Sequence, residues 1–399
     1  MEAYLSEWLA LMVRWFHVIA GVAWIGASFY FIWLDNHLRE PPEWKKQEGI
    51  KGDLWAIHGG GIYEVAKYKL GPKKMPRELH WFKWEAYSTL LSGLALLFVV
   101  YYLGSPGYLI DPAKADISTG AGIAIGLGTI IGVMVIYEAL IRSALADNGK
   151  AFGLVLFAIL LTVDWGLFQV FSGRGAYIHV GAVIGTIMVA NVFLGIVPSQ
   201  RALVNAINEG NEPDARVTRL AELAKLRSTH NNYLTLPIIF IMISNHYPML
   251  YGHKYGWAIL AAIGFITAFT RHYFNLKHRD IHRPSILLAS AIMTVTLIWV
   301  VAPTPAPAAS GQPGTAAVSD ETVSSIVETH CVTCHADSPT QPGFQSAPAG
   351  IKLDDLSLLA AHKAKVVQAA VSSQYMPLGN MTGMTEEDRE QLGRWLSEQ

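Results

Sequence analysis

Apolar residues in this chain gather in runs of about twenty, the length of helix that a bilayer's hydrocarbon core requires. Runs at roughly 9–34, 84–103, 121–141, 151–171, 176–197, 233–251, 256–275 and 285–302 predict eight transmembrane helices. After 302 the pattern changes. Pro303, Pro305, Pro307 and Pro313 punctuate an Ala-, Gly- and Ser-rich stretch, 303–318, that reads as a semi-rigid tether. Residues 319–399 suit a small helical domain. Thr385 precedes Asp388 at capping-box spacing, and Leu392, Trp395 and Leu396 share a face of the helix that follows. The predicted fold class is therefore all-α, a polytopic helical bundle over 1–302 and a compact helical domain over 319–399.

Composition agrees. Of 399 residues, 52% are hydrophobic and 15% charged, too apolar for an ordinary soluble protein. A formal net charge of −1 gives no electrostatic case for nucleic acid. Arg14 and His17 interrupt the first apolar run, so no cleavable signal peptide is expected. Basic residues crowd alternate loops. The loop 35–83 runs from Arg39 and Lys45 to Lys83, 142–150 holds Arg142 and Lys150, and 198–232 runs from Arg201 to Arg227. The turn 276–284 adds Lys277, Arg279 and Arg283. The other loops hold only Lys114, Arg174 and Lys254. Positive loops stay in the cytoplasm, so both termini are expected outside. Gly122/Gly126, Gly128/Gly132 and Gly181/Gly185 have the spacing that lets helix backbones approach closely.

The most specific chemistry is Cys331-Val332-Thr333-Cys334-His335. Two thiols at this spacing can add across the vinyl groups of one porphyrin, and the adjacent histidine then reaches the iron. These are the only two cysteines, which leaves none for a zinc site. The residues predict a class I-like cytochrome c domain with His335 as one axial ligand. A downstream methionine usually supplies the other. Met376, followed by Pro377, is the first candidate, with Met381 and Met384 as competitors. Covalent haem attachment happens on the outer side of the bacterial inner membrane, the side to which loop charge assigns this domain.

Ionisable groups at membrane depth are costly and tend to mark function. His17, His179 and His246 fall toward the outer half of the predicted bundle. His58, His80, His230, His272, His278 and His282 fall toward the cytoplasmic half. Imidazole is a natural haem or copper ligand, so the outer three are expected to share a cofactor, a b-type haem being the carrier they suit. Glu85, Glu138, Asp164 and Arg271 are further polar groups in the bundle. Arg174, within Ser172-Gly173-Arg174-Gly175-Ala176-Tyr177, offers a planar fork to a planar anion. His58-Gly59-Gly60-Gly61 matches the glycine pattern of an esterase oxyanion loop, but no G-x-S-x-G accompanies it, which excludes that hydrolase class. A Walker A motif and a post-strand G-x-G-x-x-G are also lacking.

The chain resembles the bacterial membrane-bound urate oxidases that carry a fused cytochrome c domain. The resemblance rests on Arg14-Trp15-Phe16-His17, Gly21 through Tyr30, His58-Gly59-Gly60-Gly61 and His80-Trp81-Phe82-Lys83-Trp84-Glu85. It continues through Ser172 to His179, His230-Asn231-Asn232-Tyr233, Ser244-Asn245-His246-Tyr247-Pro248, Arg271-His272 and Met376-Pro377-Leu378-Gly379-Asn380. It implies oxidation of urate to 5-hydroxyisourate with water as the oxygen source. Electrons would pass to the c-type haem and on to the respiratory chain, through a cytochrome c oxidase or a soluble cytochrome. Within that scheme Arg174 is the expected anion clamp, and His230 or His272 the proton acceptor, although they fall in opposite halves of the bundle. The alternative is a non-catalytic membrane cytochrome carrying electrons from quinol to periplasmic acceptors. The haem motif alone would favour it.

Overall fold

A computed structural model describes residues 2–104, 106–211, 213–302, 318–341, 344 and 346–399. Nearly all of the predicted tether, 303–317, lies outside them.

The chain opens with one long helix, α1 (Glu2–His37). A short α2 (Glu43–Gln47) follows, then an antiparallel hairpin of β1 (Ile50–His58) and β2 (Gly61–Tyr68). The hairpin is a departure from the all-α expectation, and it explains the glycine string. Gly59 and Gly60 are its two turn residues, with φ of 58° and 80°. A two-residue turn that matches strand twist needs positive φ at both positions, which glycine adopts without strain. The likeness to an oxyanion loop was a likeness to a turn.

Next come α3 (Trp84–Leu96), continued by a wider turn through Tyr102, then α4 (Thr119–Ile141) and α5 (Gly149–Val170). The sixth helix, α6 (Gly173–Ala190), runs through Asn191–Ile196 into α7 (Val197–Asn208) without leaving helical geometry. It is followed by α8 (Ala215–Ser244), a single turn α9 (Pro248–Tyr251), α10 (Gly256–Lys277) and α11 (Ser285–Val300). Polar side chains start four of these helices. Ser118, Asn148, Ser172 and Asp214 each accept a backbone N–H of the first turn that has no partner within its own helix.

Among the described residues, five helices are long and apolar enough to cross a bilayer: Trp8–His37, Trp84–Tyr102, Thr119–Ile141, Gly149–Val170 and Gly173–Asn208. The segment 198–232, expected as a cytoplasmic loop, is instead helical on both sides of a short turn. The Asp214 carboxylate starts α8 well before its apolar part, so helix extends past the hydrophobic run. The core of the bundle is α6, which packs against α4, α5 and α8 and buries Tyr177, Val183 and Ile187 completely. The outward faces of α1 and α11 are apolar and exposed, including Trp15, Val22, Leu288 and Trp299, as lipid contact requires.

The C-terminal part contains α12 (Asp320–Val327), α13 (Leu356–Ala361), α14 (Lys363–Val366) and α15 (Glu386–Glu398). Thr385 and Asp388 form the expected reciprocal cap. Leu392 and Leu396 are fully buried and Trp395 nearly so. They share a separate hydrophobic cluster with Val323, Leu359 and Met384, against which Cys331 and Met376 pack.

Candidate functional site

The Ser172-Gly173-Arg174-Gly175 string builds a socket. Ser172 caps α6 by accepting the Gly175 N–H at 3.0 Å, while its hydroxyl donates to the Tyr108 carbonyl at 2.7 Å. Its own N–H donates to the Leu109 carbonyl at 2.9 Å, tying 106–110 across the start of the helix. The glycines have steric work to do here. A Cβ on Gly173 would lie 1.8 Å from the Tyr251 carbonyl oxygen, and one on Gly175 would lie 2.8 Å from that of Leu109. Only hydrogen at these positions lets three backbone segments close around Arg174.

The Arg174 guanidinium lies 4.2 Å from the Tyr108 ring centre and 5.7 Å from that of Tyr101. Its Nε donates to the Tyr101 hydroxyl at 3.2 Å, and that hydroxyl donates to Asn245 at 3.1 Å. Among the described residues no carboxylate lies within ion-pair distance of Arg174. It borders a cleft of about 460 Å³ that Lys114, Tyr251, His253 and Lys254 also line. The opposite wall comes from the C-terminal domain, through Tyr375, residues 377–380 and Arg389. Two more glycines allow that approach. A Cβ on Gly252 would sit 2.6 Å from Tyr375 Cβ, and one on Gly107 would sit 2.8 Å from Met381 Sδ. The Tyr251 and Tyr375 rings are 6.4 Å apart, and Tyr375 directly precedes Met376.

In the C-terminal domain the turn after α12 brings the attachment residues together. The N–H groups of Cys334 and His335 both donate to the Cys331 carbonyl, at 3.1 and 2.8 Å. His335 Nδ1 donates to the Ile351 carbonyl at 2.9 Å, so Nε2 keeps a free lone pair. Burial pushes the Cys331 thiol up to about 11 and raises Cys334 as well. Neither is the acidic nucleophile of a redox dithiol. A free imidazole nitrogen, two unpaired thiols and a surrounding apolar cluster fit a covalently attached haem. The three methionines differ in setting. Met376 packs on the cluster that holds Cys331, Met384 is buried within that cluster, and Met381 abuts Gly107 of the bundle. Arg389 donates to the carbonyls of Ala370 and Met376, fixing the loop that carries Met376.

The outer histidines do not fit a shared b-type haem. His179 Nδ1 donates to the Gly175 carbonyl at 2.8 Å, and its Nε2 accepts from Tyr102 at 2.9 Å, so neither nitrogen is free. Its ring also packs against Gly126. His17 bonds Ser92 at 2.9 Å, and His246 is exposed, so the three have separate surroundings.

His230 and His272 lie away from Arg174. His230 Nδ1 meets the Tyr137 hydroxyl at 2.8 Å, and its ring stacks on Phe152. His272 Nδ1 meets the Tyr233 hydroxyl at 2.6 Å. Asn231, beside His230, accepts from Asn191, which lies just past the far end of α6. That is roughly 25 Å along the helix from Arg174. The imidazole at the cleft is His253, whose Nδ1 accepts the Tyr255 N–H at 3.1 Å. Accepting at Nδ1 leaves the ring hydrogen on Nε2, and burial and the adjacent Lys254 hold the imidazole below its ordinary range. Sequence reading missed His253 and the tyrosines 101, 108, 251 and 375. Tyrosines are common at any membrane boundary, so nothing local marks these.

A family model described as "Urate oxidase N-terminal" matches residues 3–302, the whole bundle. No curated protein and no solved structure matches the chain.

Proposed function

The chain belongs to the urate oxidase N-terminal family, and from that premise we propose that it is a membrane-bound oxidoreductase. It converts urate to 5-hydroxyisourate at the outer end of the helical bundle and passes the electrons to its own C-terminal c-type haem. One observation carries this reading. Arg174 is a guanidinium with no counter-ion among the described residues, set among tyrosine rings, in a cleft whose other wall belongs to the domain bearing C-x-x-C-H. Desolvating a charge costs several kcal/mol unless something pairs with it. The tyrosine faces offset about 1–2 kcal/mol of that, and an anion supplies the rest.

The urate monoanion is planar and rich in acceptors, so it suits the guanidinium fork and the ring faces beside it. The neutral His253 donates from Nε2 to a urate oxygen, and Lys114 and Lys254 add positive charge around the anion. Urate monoanion and one water give 5-hydroxyisourate, one proton and two electrons, and the proton leaves to water. Arg174 holds the anion against the Met376 side of the cleft, and the Tyr251–Tyr375 contact shortens the path out of it. Cys331, Cys334, His335 and Met376 would hold the haem, which accepts electrons one at a time when bound. His230 and His272 have no part in this cleft.

Loop charge and the haem motif both support a bundle of eight spans in the bacterial inner membrane, with both termini and the haem domain periplasmic. The next acceptor would be a cytochrome c oxidase or a soluble cytochrome. The test is anaerobic addition of urate to the purified protein. Reduction of the c-haem band in step with 5-hydroxyisourate formation is expected. Reduction by quinol and not by urate would make the chain a plain electron carrier and end this reading.

A further inference from the structure

A second arginine has no counter-ion among the described residues, at the other end of the bundle, and this one is buried. Arg271, near the end of α10, is 7% exposed, and among the described residues no carboxylate is within ion-pair distance of it. Asp35, an acid near the end of α1, is already paired with Lys67 at 2.7 Å. The C-terminal dipole of α10 helps little, because its effect is confined to the last turn and Lys277 already occupies that turn.

What surrounds Arg271 is a set of donors. Its Nε donates to Asn232 Oδ1 at 3.1 Å, and Asn275 Nδ2 donates to the same oxygen at 2.8 Å. Two donors on one oxygen fix the orientation of the Asn232 amide. Its Nδ2 is then left buried with no partner, in a residue 4% exposed. The Phe29 ring lies 4.2 Å from the guanidinium and covers one face of it. Nε is spent on Asn232, and among the described residues the two terminal nitrogens make no hydrogen bond, which leaves them to a ligand. An unpaired cation with an unpaired amide donor beside it calls for an acceptor that carries negative charge. The fork takes two oxygens, and the Asn232 amide can take a third. A tetrahedral oxyanion can offer three, and a carboxylate only two.

We propose that Arg271 and Asn232, backed by Phe29, form a phosphate-binding site at the cytoplasmic end of the bundle, distinct from the Arg174 cleft. The phosphate could be free in solution or part of a lipid headgroup, since on the eight-span reading proposed above the end of α10 meets both.

The test uses the full chain in phosphate-free maltoside detergent. Bound phosphorus per chain is counted first, so that a lipid carried through purification is scored as occupancy. The thermal midpoint is then followed as inorganic phosphate, phosphatidylglycerol or urate is added. The expected result is retained phosphorus, or a rise of a few degrees with phosphate or phosphatidylglycerol. Either signal persists in R174Q and is lost in R271Q and in N232A. Whichever of phosphate and phosphatidylglycerol acts identifies the source. No retained phosphorus together with no rise in either arm overturns the proposal, as does an equal signal in N232A, the milder variant should R271Q fail to fold. A response to urate alone that R271Q removes also overturns it. A urate response lost in R174Q bears only on the outer cleft, so the two readings fail separately.

Discussion

Arg174, half-buried, and Arg227, buried, are arginines at opposite ends of the same bundle, and their surroundings differ. Arg227 donates to both oxygens of Glu138 and to Asn191 at 3.0 Å, and Asn191 in turn donates to Asn231 at 2.9 Å. Every partner it needs is supplied by the protein, and the result joins α4, α6 and α8. Arg174 has ring faces and one hydroxyl. A buried charge that is fully paired acts as scaffold, and one left unpaired is reserved for something that arrives later. The two must therefore respond oppositely to mutation, one in stability and the other in turnover.

The largest effect is expected at the outer arginine. R174Q should lower kcat/KM for urate by about a hundredfold, equivalent to about 3 kcal/mol of lost anion binding, with little change in thermal midpoint. Unchanged turnover would remove Arg174 from the site and the contrast with it. R227M should do the reverse. Leaving half-buried Glu138 with only the exposed Arg142, 3.2 Å away, should cost about 1–2 kcal/mol of stability, read as a fall in thermal midpoint. The double variant R227M/E138M should regain most of that loss, because the one charge left over, Arg142, is exposed to water.

A smaller effect tests whether the cleft needs both walls. G252V places side-chain atoms against Tyr375 and the Pro248 carbonyl, 2.6 and 2.8 Å from the position of its Cβ. Haem reduction by urate should slow about tenfold while urate affinity holds, since Arg174 is untouched. Loss of affinity instead would mean that the C-terminal wall binds substrate directly. The smallest effect concerns the haem domain's own stability. Burial pushes the His330 imidazole below its usual 6.5. Below that pH the unfolded chain takes up a proton that the folded domain refuses, so stability should fall as the pH drops through and below 6.5. The Asp388 carboxyl beside it is held below 3.8, so its loss begins only in stronger acid. Denaturant midpoints should show the slope, and H330Q should flatten it.

The helical bundle was legible because apolar runs of spanning length are a local property of the chain. The C-x-x-C-H motif was legible for the same reason, as its two thiols and its histidine lie within five consecutive residues. Arg174 also stood out in sequence, flanked by glycines that the socket turns out to require. The hairpin was not read, because its turn glycines carried a competing motif. The outer histidines misled for another reason: sequence placed them at one depth, but hydrogen bonding occupied His179 on both sides.

Spacing and hydropathy by themselves thus determined the long apolar helices and the C-x-x-C-H motif, each written in contiguous residues. Only the tertiary structure decided which arginines lack a counter-ion, and that one cleft takes its walls from segments near residues 111, 174, 251 and 377. Charge compensation is settled by neighbours distant in the chain, and those neighbours are known only once the helices have packed.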